Sequence, residues 1–266
     1  MAKKIGFIGA GNMATAIYSG ILSHHLSDAN DIFVSALHWD RLQEKAKKFG
    51  FVAVERNEEV IRHCDLVFLA VKPQYLADIL QPLQPLIRRE QAFVSIVAGW
   101  TNAQLKQALG ANGRVLRVLP NTPLLVGQGM SCLCKEHDLS EDEFAYIQNV
   151  FESLGQVVQL EEKQIAAFSG LAGSGPAYVY VFIEAMADAG VKLGLPRALA
   201  YQVAAQTCLG SAEMVLQTGA HPGALKDAVC SPAGTTIEAV FALEQGGFRG
   251  TVIDAIDRCT KRFEQL

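Results

Sequence analysis

Short apolar, β-branched runs alternate with helix-compatible stretches from the start of the chain to about residue 120. The runs are KIGFIGA, DIFVSA, FVAVE, DLVFLAV, AFVSIVA and RVLRVLP. Each is almost continuously apolar, as strands covered on both faces are. Between them, NMATAIYSGILSHH, DRLQEKAKKFG and NEEVIRHC read as helices, and TNAQLKQALG opens on Thr101 as an N-cap. This alternation predicts an α/β fold, a doubly wound and mainly parallel sheet of Rossmann type with helices on both faces. After Pro123, GMSCLCK and GQVVQLE read as later strands of the same sheet. The helix between them carries Ser140 and Glu143 in capping-box spacing.

From about residue 163 nearly every position suits a helix or a short glycine-proline turn. The expected division is a dinucleotide-binding domain over 1–162 and an all-helical domain over 163–266. In the second, PAYVYVFIEAMADAGVKLG has Pro176 in its first turn and Glu184, Asp188 and Lys192 at successive i, i+4 positions. Its other faces are apolar. A domain of this size has little core of its own in which to bury such a helix, so a second copy of the chain is expected to cover it.

The first strand runs into Gly9-Ala10-Gly11-Asn12-Met13-Ala14, a match to G-x-G-x-x-G/A. Gly9 permits the tight turn, Gly11 lets the backbone approach a pyrophosphate, and Ala14 is small enough for close helix-strand packing. The first amides of the helix then face negative charge. Strand, glycine turn, helix and a continuing β-α-β pattern together predict dinucleotide binding. An NAD-selective site usually has Asp or Glu at the end of the second strand. Here that strand ends Ser35-Ala36, with Asp40 and Arg41 further on. A hydroxyl and a nearby arginine without the carboxylate lean toward NADP, with NADPH preferred and NADH possible; a site that tolerates both is the plainer alternative.

Ligands of doubly wound sheets lie beyond the carboxyl ends of the strands. The fourth strand ends in AVKP, where Lys72 is either a phosphate or carboxylate contact or a surface lysine. The fifth ends in Ala98-Gly99, backbone small enough for a nicotinamide ring to approach. After the sixth, Asn121 stands between Pro120 and Pro123, either orienting ligand or stabilising its loop. Asn57 after the third strand either meets the adenosine side or caps the next helix.

In SPAGTTIEAV, Thr235 and Glu238 have capping-box spacing after Ala233-Gly234, which predicts a helix with Thr236 in its first turn. A hydroxyl beside unpaired helix-start amides suits a carboxylate; a plain helix cap is the commoner use. No side chain stands out as the proton donor that ketone reduction requires. A cyclic imine enters with its nitrogen already protonated, so its site mainly has to hold the carboxylate and place the imine carbon.

Composition narrows the field. Half of the 266 residues are hydrophobic, 19% are charged and the net charge is −4, which argues for a packed core and against disorder or nucleic-acid binding. No uninterrupted apolar run reaches the roughly 18 residues of a membrane span, and no signal-peptide pattern precedes the first strand; a cytoplasmic protein with no membrane partner is expected. The six cysteines form no C-x-x-C pair and the six histidines show no ligand spacing, so free thiols and no metal are expected.

GFIGAGNM, AVKP, PNTP, AGSGPAY and above all HPGALKDAVCSPAGTTIEAVFALEQGGFR resemble Δ1-pyrroline-5-carboxylate reductases, essentially end to end. The resemblance implies a Rossmann domain and a helical dimerisation domain intertwined with its partner, often assembled into a decamer. It also implies an active site shared between subunits and hydride transfer to L-1-pyrroline-5-carboxylate, giving L-proline. The family's NADP contacts map onto Gly9, Ala10, Gly11, Asn12, Met13, Ser35, Ala36, Asn57, Ala70, Val71, Lys72, Pro73, Ala98 and Gly99. Its substrate threonine maps onto Thr236, beside Thr235 and Gly234, and its SGSGPAY turn onto Gly173, Ser174, Gly175, Pro176 and Ala177. Thr236 is the expected catalytic residue, hydrogen-bonding the ring nitrogen or helping bind the carboxylate. Two departures stand out: Ala172 for a serine of that turn and Ala233 for a glycine of SPGGTT. A β-hydroxyacid dehydrogenase fits less well, because no lysine lies between Gly175 and Lys192. A reductase of another cyclic imine and a non-catalytic NADP-binding protein are the remaining alternatives.

Overall fold

Each apolar run became a strand. The computed structural model describes residues 3–265, and among them β1 (Ile5–Ile8), β2 (Ile32–Ser35), β3 (Val52–Val54), β4 (Leu66–Leu69), β5 (Ala92–Ser95), β6 (Arg114–Leu119), β7 (Gly129–Cys134) and β8 (Gly155–Leu160) form one sheet. Its order is β3-β2-β1-β4-β5-β6-β7-β8. β1 pairs in parallel with both β2 and β4, Ile5 standing opposite Ile32 on one side and Leu66 on the other. The chain winds outward from β1 to β3 and crosses back to β4. The switch point of the topology, where doubly wound sheets take their ligands, therefore lies at the carboxyl ends of β1 and β4. β6 and β7 run antiparallel, and β7 and β8 parallel.

The central strands β1 and β4 are apolar and buried along their whole length because both faces are covered. Ile5, Phe7, Leu66, Phe68, Ala92 and Val94 point to one cluster, which α1 (Asn12–Ser23), α2 (Trp39–Phe49) and α6 (Glu141–Glu152) complete. Ile8, Val67, Leu69 and Phe93 point to the opposite cluster, closed by α3 (Asn57–His63), α4 (Leu76–Leu80) and α5 (Asn102–Leu109). This period-two exchange of faces is what a strand geometry imposes. On the first face Phe7 and Phe68 stack at 4.6 Å between centroids. The expected N-cap at Thr101 and the expected capping box at Ser140 both form: Thr101 Oγ1 accepts from the Gln104 amide, and Ser140 Oγ from the Glu143 amide.

The remaining helices are α7 (Ile165–Phe168), α8 (Gly175–Lys192), α9 (Arg197–Thr218), α10 (Pro222–Ala228), α11 (Thr235–Gln245) and α12 (Phe248–Phe263), with a π-helical turn at Ser169–Gly173 between α7 and α8. Two compact units result. One runs through Gly173 and takes back the chain from Cys259; the other is Ser174–Arg258. Residues 163–173, which the sequence pattern groups with the helical domain, cluster with the sheet: Ile165 and Phe168 are buried beside Leu119, Cys132 and Cys134.

Within the second unit, α8 buries only Ala187 fully, while Val179, Tyr180 and Val181 are 47%, 59% and 66% exposed. So large an apolar surface on water is a partner surface. By length and composition alone the helical stretch Glu162–Lys192 is long and apolar enough to cross a membrane; its charges stand near its two ends, at Glu162 and Lys163 and at Glu184, Asp188 and Lys192. Cysteine chemistry is quiet: none of the six cysteines is in a disulfide, and burial pushes Cys64 up to about 12 and Cys132 up to about 11.

Candidate active site: a glycine turn and a threonine turn

The turn after β1 is held from several directions. Gly9 has φ +104, a left-handed conformation that favours glycine. A Cβ there would lie 2.4 Å from the carbonyl oxygen of Ala70. Its amide donates to Ser35 O at 2.9 Å, and the Ala70 amide donates to Ile8 O at 2.9 Å, so the ends of β1, β2 and β4 are locked together. Gly11 is different: its backbone is ordinary extended chain, and a Cβ there would meet nothing within 4 Å. It is the N-cap of α1, and no side chain caps the helix. The first amides of α1 thus face solvent without intrahelical partners, beside a position that a Cβ would fill. That arrangement fits a pyrophosphate. Ala14, 1% exposed, packs against the sheet as its small size allows.

Ser35 is 1% exposed, and its hydroxyl donates to Asn57 Oδ1 at 2.7 Å. The expectation of a hydroxyl free to meet a 2′-phosphate is corrected, since the group is spent inside the sheet. Asn57 does not cap the helix either. Arg56 is the N-cap of α3 and Asn57 its first residue, with the amide oriented by Ser35. Ala36 follows at the rim, and Asp40 and Arg41 lie in the first turn of α2.

Beyond β4, residues 70–73 lead into a short 3-10 turn with Lys72 as its N-cap, its carbonyl accepting from the Tyr75 amide at 3.1 Å; the exposed Lys72 ammonium has no hydrogen-bond or ion-pair partner among the described residues. Beyond β5, Ala98 is half-buried and Gly99 takes φ +77. Asn121, beyond β6, is 7% exposed. Its Nδ2 donates to Ala172 O at 3.0 Å, and its Oδ1 accepts from the Met130 amide at 2.9 Å. Both ends of the amide serve the protein, so the loop-stabilising alternative is the one realised. The same bond fixes the π-turn ahead of Ser174, Gly175 and Pro176, which begin α8.

The threonine turn also differs from its expected form. Ser231-Pro232-Ala233-Gly234 closes with Gly234 N donating to Ser231 O at 3.0 Å, and Ala233 takes φ +56. Proline second and a positive φ third is the arrangement of a type II turn, which ordinarily takes glycine at the third place. A Cβ on Gly234 would meet Ser231 Oγ at 2.2 Å. The helix then starts one residue earlier than the Thr235 and Glu238 spacing predicts: Gly234 is the N-cap, no side chain caps it, and Thr235 and Thr236 open α11. Both threonines are exposed, and neither hydroxyl has a hydrogen-bond partner among the described residues. Two hydroxyls and the uncapped amides of one helix start are left available for an anion.

Residues 4–99 match the family described as NADP oxidoreductase, coenzyme F420-dependent, and residues 162–266 match pyrroline-5-carboxylate reductase dimerisation. The pyrroline-5-carboxylate reductase of Escherichia coli (strain K12) is 44% identical over 266 residues, covering 100% of this chain and 99% of that protein. The chain belongs to the pyrroline-5-carboxylate reductase family. The soybean (Glycine max) enzyme of that name is 44% identical over 98% of this chain and 95% of its own. The crystal structure of the Plasmodium falciparum pyrroline carboxylate reductase with NADP bound superposes with a TM-score of 0.90 at 32% identity, covering 99% of this chain and 97% of that one.

For this reductase the sequence reading missed one group at the glycine turn. Lys45 of α2 reaches the carbonyl of Ala10 and the hydroxyl of Thr15. Nothing in linear spacing signals it, because it lies 35 and 30 residues away from those partners.

Proposed function

We propose that this reductase uses NADPH to convert L-1-pyrroline-5-carboxylate to L-proline, with Thr236 at the substrate. The observation that carries the reading is the threonine turn, an uncapped helix start with two unpartnered hydroxyls. Thr235, Thr236 and the amides after Gly234 hold the substrate carboxylate. The Thr236 hydroxyl also reaches the ring nitrogen, which enters protonated. Ser174, Gly175 and Pro176 at the start of α8 shape the rest of the substrate pocket.

On the cofactor side, Gly9, Ala10, Gly11, Asn12 and Met13 take the pyrophosphate. Ala36 and the amide of Asn57, set by Ser35, take the adenosine end, with Arg41 nearest in sequence to a 2′-phosphate. Residues 70–73 and 98–99 border the nicotinamide. Bound NADPH supplies the hydride. The iminium carbon receives it, the ring nitrogen becomes a neutral amine, and that amine takes its further proton from solvent. No strong acid is needed within the protein, and the residues act by placing two reactants together.

The working assembly is a homodimer, with a decamer of five dimers as the larger form. The apolar exposure of α8 and the match to a dimerisation family support it, and they favour a subunit contact over a membrane for that surface. Six cysteines outside any disulfide support the cytoplasm as its place of action. Loss of nicotinamide absorbance on mixing the protein with NADPH and the imine acid, with proline identified as product, tests the reading. Absence of turnover with both NADPH and NADH sinks it.

A further inference from the structure

Lys45 donates to Ala10 O at 2.6 Å and to Thr15 Oγ1 at 2.8 Å. An ammonium has only donors, so the Thr15 oxygen accepts from it. The Thr15 hydroxyl hydrogen goes to Gly11 O at 2.9 Å. The Tyr18 hydroxyl, 3.0 Å from Thr15 Oγ1, must then be a second donor to it. Both lone pairs and the proton of that one oxygen are used, and Tyr18 is itself anchored at 0% exposure in the core. Core, α1, α2 and the glycine turn are joined through a single hydroxyl.

The consequence is geometric. In a planar trans peptide the C=O and N–H point in opposite directions. Holding Ala10 O toward Lys45 turns the Gly11 amide of the same peptide away from Lys45. Holding Gly11 O toward Thr15 does the same for the Asn12 amide. These are the amides of an uncapped helix start. Among the described residues no carboxylate lies within ion-pair distance of Lys45, so its charge is not cancelled locally and is available to an anion at the turn.

We infer that Lys45 is a positioning residue for the cofactor: it fixes the glycine turn in the shape that presents its amides to the pyrophosphate of NADPH, and its unpaired charge strengthens that attraction. The inference rests on the NADPH-dependent reading above. It also gives α2 a function beyond covering the sheet.

Titration of NADPH into the wild type, Lys45→Met, Lys45→Arg and Thr15→Val, with kcat and both KM values measured alongside, tests it. Losing hydrogen bonds from a charged donor is expected to raise the Kd and KM for NADPH about 10-fold in Lys45→Met. The kcat at saturating NADPH and the KM for the imine acid stay within about twofold, the pattern of lost binding common to ground and transition states. Lys45→Arg keeps most of the affinity. The Lys45→Met/Thr15→Val double variant binds no worse than the weaker single variant, because both changes cut one network. Should Lys45→Met fail to fold, Thr15→Val, which leaves the charge in place, still has to weaken NADPH. Wild-type affinity in Lys45→Met, or fully additive losses in the double variant, overturns the inference and leaves the reductase reading standing. A wild type that does not bind NADPH overturns both.

Discussion

The α-carbon of Gly9 faces the carbonyl oxygen of Ala70 so closely that a Cβ would sit 2.4 Å from it, while two residues on a Cβ at Gly11 would meet nothing within 4 Å. The two glycines of one motif thus answer to different forces, one to the protein itself and the other to what the turn binds. Gly9→Ala forces a side chain into a backbone oxygen at positive φ, and a loss of stability above about 2 kcal/mol is expected from clash and strain together. Gly11→Ala leaves the melting temperature within about 2 °C, since its backbone is one any residue adopts. It raises the Kd for NADPH at least about 10-fold by filling the space the pyrophosphate needs. Thermal melts and NADPH titrations of both variants separate these effects. A Gly11→Ala protein that melts early and binds normally reverses the assignment.

Thr236→Ala removes one of the two free hydroxyls at the start of α11. A hydrogen bond to a charged group contributes about 1.5–3 kcal/mol, so kcat/KM for the imine acid is expected to fall about 10- to 100-fold. The Kd for NADPH changes little. Thr235→Ala, measured in the same way, divides the work between the two. An unchanged rate in Thr236→Ala removes that residue from the mechanism.

Ala233 carries a cost that the glycine common at this place in the family avoids. A left-handed alanine is strained by about 1–2 kcal/mol, and glycine returns about 0.4–1 kcal/mol of that as extra freedom of the unfolded chain. Ala233→Gly is therefore expected to stabilise the protein by about 0.5–1 kcal/mol, a rise of about 1–3 °C in Tm for a chain of this length. Alanine-to-glycine changes elsewhere usually destabilise. A lower Tm in differential scanning calorimetry contradicts the strain argument.

Much of this was legible in the sequence because burial leaves a linear trace. All eight strands fall on the runs read as strands, most clearly where burial on both faces leaves only apolar residues and glycine, as in β1 and β4, and the N-cap at Thr101 and the capping box at Ser140 are local patterns. The reversed direction of β7 was not legible, as no residue type encodes it. The segment holding α4, with its prolines and 3-10 turns, has no period to read. At the site, local rules misled where backbone and side chain compete. Thr235 and Glu238 have the right spacing for a capping box, yet Gly234, extended at ψ 169, takes the N-cap one residue earlier. Ser35 with Asn57, Asn121 with Ala172, and Lys45 with Thr15 are pairs 22, 51 and 30 residues apart, assembled only when strand ends meet.

Glu143 sets the behaviour of the fold in acid. It is the N3 residue of the capping box of α6, accepting from the Ser140 amide at 2.9 Å, and it pairs with Arg114 at the start of β6 and with Lys3. Burial alone would raise its pKa, but the Ser140 amide, Arg114 and Lys3 together outweigh it and hold the carboxyl down at about 2. A carboxyl lower in the folded chain than in the unfolded one stabilises fully above its unfolded value, near 4.3 for an ordinary glutamate. That stabilisation is lost as the pH falls through the interval down to about 2, where the folded form also takes up its proton. Glu143→Gln keeps the shape and removes the charge. It is expected to melt below the wild type at neutral pH and to converge with it as the pH approaches 2. The residue lies at the amino end of β6, away from the carboxyl-end turns, so kcat and the KM for NADPH at neutral pH should be unchanged. Melting curves of the two proteins across that pH interval check the claim; a gap that stays constant with pH would show that the carboxylate charge is not what ties α6 to the sheet.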